Sequence, residues 1–159
     1  MEYFRFDQSE ETLKMKSMTK MLGALLGGTL MMGALALPTT AVARDPLVTP
    51  KLVIQVSDSD PAKWNLALNN AKNVQKDLKG AKIEIVAYGP GIGMLKADSE
   101  VANRVGEAVD SGMKVMACGN TMKGQKLTKE DMNPKIGYVD AGVVEIMDRQ
   151  AEGYTYIRP

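Results

Sequence analysis

The sequence predicts a three-layer α/β sandwich built on a mainly parallel, five-stranded sheet. Three observations carry this reading. Short β-branched runs such as Leu52-Val53-Ile54 and Ile83-Glu84-Ile85-Val86 are apolar almost throughout, as strands covered on both faces are. Between them, apolar residues recur at helical spacing. Strand and helix signals alternate along the chain, which is the pattern of crossover connections rather than of hairpins.

The elements follow in order. Arg44 to Pro50 holds two prolines and reads as an extended lead-in. Lys51 to Ser57 is the first strand. Asp58-Ser59-Asp60-Pro61 then opens a helix, with capping side chains followed by proline at the first helical position. Trp64, Ala67, Leu68, Ala71, Val74 and Leu78 share one face of that helix, and Gly80 ends it. Ile83 to Tyr88 is a second strand, leaving through Gly89-Pro90-Gly91-Ile92-Gly93. Asp98 or Ser99 caps the next helix, with Val101, Ala102, Val105, Ala108 and Val109 inward and Gly112 at its end. Lys114 to Ala117 is the third strand and runs into Cys118. Beyond it, Thr128-Lys129-Glu130-Asp131 has the form of a capping box, and Ile136 to Val139 is a brief fourth strand. Asp140 is expected to cap a last helix with Val143, Val144, Met147 and Ala151 facing inward, stopped by Gly153. Tyr154 to Ile157 closes the chain as a strand.

The first forty-three residues read differently. Lys14, Lys16 and Lys20 precede an uncharged run from Met21 to Leu37, broken by Pro38 and followed by Ala41-Val42-Ala43. That is the order of a secretory signal peptide: basic region, apolar region, small-residue cleavage site. Residues 1–43 are therefore expected to be a leader with an extended n-region, cut after Ala43, leaving residues 44–159 as a single domain. The acidic stretch before Leu13 allows translation to start at Met1, Met15 or Met18. The alternative is a retained anchor, for which the glycine-rich run is barely long enough. Cleavage implies a periplasmic or secreted protein with no stable membrane association.

Composition narrows the chemistry. Of 159 residues, 45% are hydrophobic and 25% charged, with a net charge of +1. The leader holds four basic and four acidic residues, so the remaining chain is also near neutral. No general electrostatic attraction to nucleic acid follows. Histidine is absent, which removes serine–histidine and cysteine–histidine pairs within one chain. One cysteine forms neither an internal disulfide nor a zinc cluster. No cofactor or metal is called for. Six of the twelve methionines fall in the leader, and the rest are scattered, unlike a methionine-rich copper site.

Cys118 is the candidate site. It ends an apolar strand, and Gly119, Asn120 and Thr121 follow as a helix start. In open α/β sheets, sites lie at the carboxyl ends of strands. A helix start also aims unpaired N–H groups at the sulfur, which lowers a thiol pKa from about 8.5. Two readings stand side by side: a reachable, activated thiolate with Gly119, Asn120 and Thr121 in support, or a small buried hydrophobe.

Met116-Ala117-Cys118-Gly119-Asn120-Thr121-Met122 resembles the cysteine segment of the DsrE/DsrF-like family. The tail resembles it as well, in Val139-Asp140-Ala141-Gly142-Val143-Val144-Glu145 and in Arg149 to Pro159. The likeness runs from Lys51 to the C-terminus. It implies a flavodoxin-like fold, a trimer or hexamer, and a cysteine that carries sulfane sulfur as a persulfide. Mapped here, that carrier is Cys118, and its partners would be thiol or persulfide proteins. Relatives act in the cytoplasm, so the leader sets this chain apart from their pathways.

Other residues fit plainer roles. Gly89 to Gly93 lacks the spacing of a dinucleotide or phosphate loop and reads as a strand-to-helix turn that can border the pocket of Cys118. Asp58 and Asp60 suit capping better than cation binding. Lys123 and Lys126 read as solvated charges, Trp64 as core. Tyr88, Tyr138, Tyr154 and Tyr156 suit strand packing or a subunit interface, with no basic stripe for base stacking. Two competing functions remain at this level: an oligomeric scaffold with an inert cysteine, and a small-ligand or nucleotide binder using the strand-end crevice.

Overall fold

The computed structural model describes residues 48–159. The leader, its cleavage after Ala43 and the alternative starts lie outside those residues. Five strands form one sheet: β1 (Lys51–Val56), β2 (Lys82–Ala87), β3 (Lys114–Cys118), β4 (Gly137–Val139) and β5 (Thr155–Ile157). Every pairing is parallel, in the order β4-β3-β2-β1-β5. Four helices connect them: α1 (Pro61–Asp77), α2 (Ala102–Asp110), α3 (Gly119–Gly124) and α4 (Gly142–Ala151). The predicted three-layer α/β fold is the observed one.

Topology decides which face each helix takes. From β1 to β4 the chain steps along the sheet in one direction. Right-handed crossovers therefore keep α1 and α2 on one face. Their apolar sides pack there with Leu52, Ile54, Val56, Ile83, Ile85, Val115 and Ala117, and Met122 of α3 joins the same cluster. From β4 to β5 the chain must jump back across the whole sheet. The same handedness then sends α4 to the opposite face, over Val53, Val86 and Tyr154. Since α3 and α4 leave to opposite sides, the carboxyl ends of β3 and β4 part there. That is the switch point where such sheets open a crevice.

Local chemistry agrees in most places. Asp60 caps α1, its Oδ1 accepting from the Ala62 amide at 2.8 Å, with Pro61 at the first helical position. Trp64, Ala67, Leu68 and Ala71 are buried as their spacing requires. Gly80, Gly112 and Gly153 all have positive φ after their helices. Thr128 and Asp131 form the predicted capping box around a single 3-10 turn. Gly89–Leu95 is also a 3-10 helix rather than a plain turn. Gly91 is obligatory in it, because a Cβ would stand 2.3 Å from the carbonyl oxygen of Val56.

Three expectations are corrected. Neither Asp98 nor Ser99 caps α2; its first position follows Val101 without a side-chain bond, because Ser99 Oγ faces the Val101 amide one turn earlier, at 3.4 Å. Asp140 does not cap α4, because the N-cap position falls on Ala141, one residue later; the Asp140 backbone carbonyl accepts from the Asn120 amide at 3.0 Å. The inward face of α4 is also not the predicted one. Val143, Val144 and Met147 are 55%, 50% and 64% exposed, and Ala151 is exposed as well. Gly142 and Ile146 are buried in their place, and Arg149 points at the sheet. The cause is Glu84, a carboxyl on β2 that is 1% exposed beneath this helix. A buried acid needs a cation, and turning Arg149 inward turns the valines out.

Candidate functional site

Cys118 is both the last residue of β3 and the residue immediately before α3. An N-cap side chain lies where the second and third helical amides point. Here those amides belong to Asn120 and Thr121. No regular capping bond closes, so the sulfur feels these amides mainly as dipoles. The second helix contributes too, because the Gly142 amide at the start of α4 also faces the sulfur. Cys118 thus occupies the switch-point crevice, between the starts of helices on opposite faces. Its Sγ lies 4.0 Å from the carbonyl oxygen of Asp140 on the β4 side.

These contacts pull against each other. Burial pushes the Cys118 thiol pKa up. The Thr121 hydroxyl and the amides of Gly142, Thr121 and Asn120 pull it down and prevail, so it sits below the ordinary thiol value. Thr121 is well set for this. Its Oγ1 accepts from the Gly89 amide at 2.9 Å, which leaves the hydroxyl proton free to be given to sulfur. Gln125 completes the tie by donating to the Gly89 carbonyl at 3.2 Å. The glycine-rich segment after β2 is therefore tied through Gly89 to α3, the helix that follows the cysteine.

Gly119 acts by what it lacks. A Cβ there would stand 3.2 Å from the Val139 oxygen and 3.5 Å from the Asp140 oxygen, so glycine lets α3 begin against the end of β4. Gly142 is the residue sequence reasoning missed. A Cβ on it would lie 3.1 Å from Tyr88 Cδ1 and 3.2 Å from Val86 Cγ1. The signal was a glycine directly after a strand end, at a helix start.

Of the two readings of the thiol, the structure gives the exposure alone: Cys118 is buried, 5% exposed in the isolated chain. Two helix starts converging on one sulfur leave little surface. The cover is thin, since its neighbours Asn120 and Asp140 are both exposed.

The remaining candidates are placed elsewhere. Asp58 pairs with Arg158 at 3.3 Å, and its carbonyl accepts from Trp64 Nε1 at 2.7 Å. Lys123 and Lys126 are solvent-exposed. Tyr156 donates to Gln55 Oε1 at 2.5 Å, and Tyr154 is buried under α4. Among the described residues, no group of three or more His, Cys, Asp or Glu is arranged to hold a metal ion.

Comparison with known proteins agrees with this architecture. The model of the DsrE/DsrF-like family matches residues 51–159. A solved protein of unknown function from Methanobacterium thermoautotrophicum is 34% identical, with a TM-score of 0.67; the match covers 69% of this chain and 99% of that one. Another protein of unknown function, from Bacteroides thetaiotaomicron, is 18% identical with a TM-score of 0.58, covering 69% of this chain and 94% of that one, and shares the fold. No curated protein matches. By the extent of the family match, the all-parallel sheet and the 34% identical structure, this chain belongs to the DsrE/DsrF-like family.

Proposed function

We propose that this protein is an exported sulfur carrier that holds sulfane sulfur as a persulfide on Cys118. Membership of the DsrE/DsrF-like family supports a sulfur-relay-like role at family level. One observation carries the finer reading: the Thr121 hydroxyl and the amides of Thr121 and Gly142 converge on the only cysteine and favour its thiolate. A thiolate is the form that exchanges sulfur.

The exchange balances without an external oxidant. The Cys118 thiolate attacks the outer sulfur of a donor hydropersulfide. A bond forms from Sγ to that sulfur, the donor's own S–S bond breaks, and its electron pair leaves on the donor thiolate. The Cys118 persulfide then gives its outer sulfur to an acceptor thiolate by the same step and returns to thiolate. Partners are accordingly thiol or persulfide proteins. The leader-like order of residues 14–43 supports export to the periplasm or beyond. The outward valines and methionine of α4 support self-association into a trimer or hexamer; Met147→Glu is expected to lower the mass seen by sedimentation.

The test is intact-mass analysis after exposure to a low-molecular-weight persulfide. Wild-type protein is expected to gain one sulfur atom, removable by reductant, and Cys118→Ala to gain none. Failure of wild type to take up sulfur overturns the proposal. The second reading, a scaffold with an inert cysteine, is favoured by the 5% exposure of Cys118. It predicts no adduct and unchanged behaviour for Cys118→Ala.

A further inference from the structure

The face of the sheet beneath α4 holds a charge arrangement that the sulfur chemistry does not use. Glu84 stands at the centre of the sheet, in register with Val53 on β1 and Lys114 on β3. It is 1% exposed, and neither carboxyl oxygen has a hydrogen-bond donor. The cation nearest to it is Arg149 on α4, with Nε 3.4 Å from Glu84 Oε2. That guanidinium is already taken. It gives 2.8 Å bonds to Glu145 and to Glu152, one turn away on either side. Three carboxylates thus share one guanidinium. Lys51 on β1 is engaged elsewhere: its Nζ donates to the Glu152 carbonyl at 2.8 Å and lies 5.6 Å from the Tyr154 ring centre. Lys114 has its side chain toward solvent.

This leaves a buried acid short of positive charge, with a second acid, Glu145, held by the same guanidinium. We propose that Glu84, Glu145 and Arg149 form a proton-operated latch that pins α4 to the sheet while Glu84 is protonated and loosens it when that proton leaves. With the proton in place, Glu84 donates to Glu145, Glu145 accepts from Arg149, and Glu84 is satisfied without a charge. Without it, two carboxylates face each other in an apolar layer. Burial is the largest cause raising the Glu84 pKa, from 4.5 to about 7, and the neighbouring Glu145 carboxyl adds to it, while Arg149 and Lys114 oppose. A carboxyl raised in the folded state contributes stability below its ordinary value, and that contribution is lost as pH rises through about 7. The latch is independent of the sulfur reading. Its working part is α4, which packs over Val53 and Val86 through Ile146.

Amide hydrogen exchange on the full-length chain tests this, together with carbon-13 NMR of the glutamate carboxyls. After correction for intrinsic base catalysis, exchange along α4 is expected to quicken about tenfold per pH unit between about pH 5 and about 7, then level off. Amides of β2 should not follow. Glu84→Gln, which keeps a neutral donor in place, is expected to hold α4 protected and flat across the range. A Glu84 carboxyl that titrates near its ordinary value in wild type overturns the latch, whether or not the variant folds. So does a pH-dependent loosening of α4 that survives in Glu84→Gln.

Discussion

The two faces of the sheet are closed by different means. Under α1 and α2 the closure is apolar, from Leu52 and Ile54 through Ile85 to Val115 and Met122. Under α4 a small apolar cluster, Val53, Val86, Ile146 and Tyr154, borders Glu84 and Arg149. The first face is held by area removed from water, which is insensitive to pH. The second relies on the contact of Arg149 with Glu84, whose pKa burial raises to about 7. The candidate cysteine lies at the boundary, where one helix leaves to each side. The molecule separates a rigid support from a face able to respond to conditions.

Substitutions can break or sharpen this contrast. The largest loss is expected from Ile54→Ala on the apolar face, which is fully buried; it should cost about 4 kcal/mol in urea unfolding, equally at pH 5 and pH 8. Arg149→Met on the other face should cost about 3 kcal/mol at pH 8, where Glu84 is a buried anion left unpaired. It should cost clearly less at pH 5, where Glu84 is neutral. Equal losses at the two pH values would abolish the distinction between the faces. At the boundary, Thr121→Val removes the hydroxyl that lowers the Cys118 pKa. Alkylation of Cys118 at pH 7 is then expected to slow by up to about tenfold, with little change in unfolding. The smallest effect is expected from Val143→Ala, on the exposed side of α4, within about 0.5 kcal/mol for the monomer. A loss as large as that of Ile54→Ala would mean that this side is packed after all.

The apolar face was legible in the sequence because a single rule governs it. Trp64, Ala67, Leu68 and Ala71 recur at helical spacing and are buried, and the strands they cover read as continuous apolar runs. The other face obeys two rules that conflict. Periodicity put Val143, Val144 and Met147 inside, but the buried Glu84 demanded Arg149, and the helix turned to supply it. The clue was present, a glutamate inside Ile83-Glu84-Ile85, but its partner lay more than sixty residues away. The cysteine site was half legible. Local order gave the amides of Asn120 and Thr121. The Gly142 amide comes from the crossover back across the sheet, which a linear reading does not bring next to residue 118.

The two outermost strands, 137–139 and 155–157, are only three residues long, while those between them run to five or six. Each rim therefore offers a stray polypeptide few free backbone groups on which to zip. Fibril growth by strand addition needs a longer, flatter ledge. A protein that must fold without neighbours joining its sheet is thereby guarded at both margins by brevity alone.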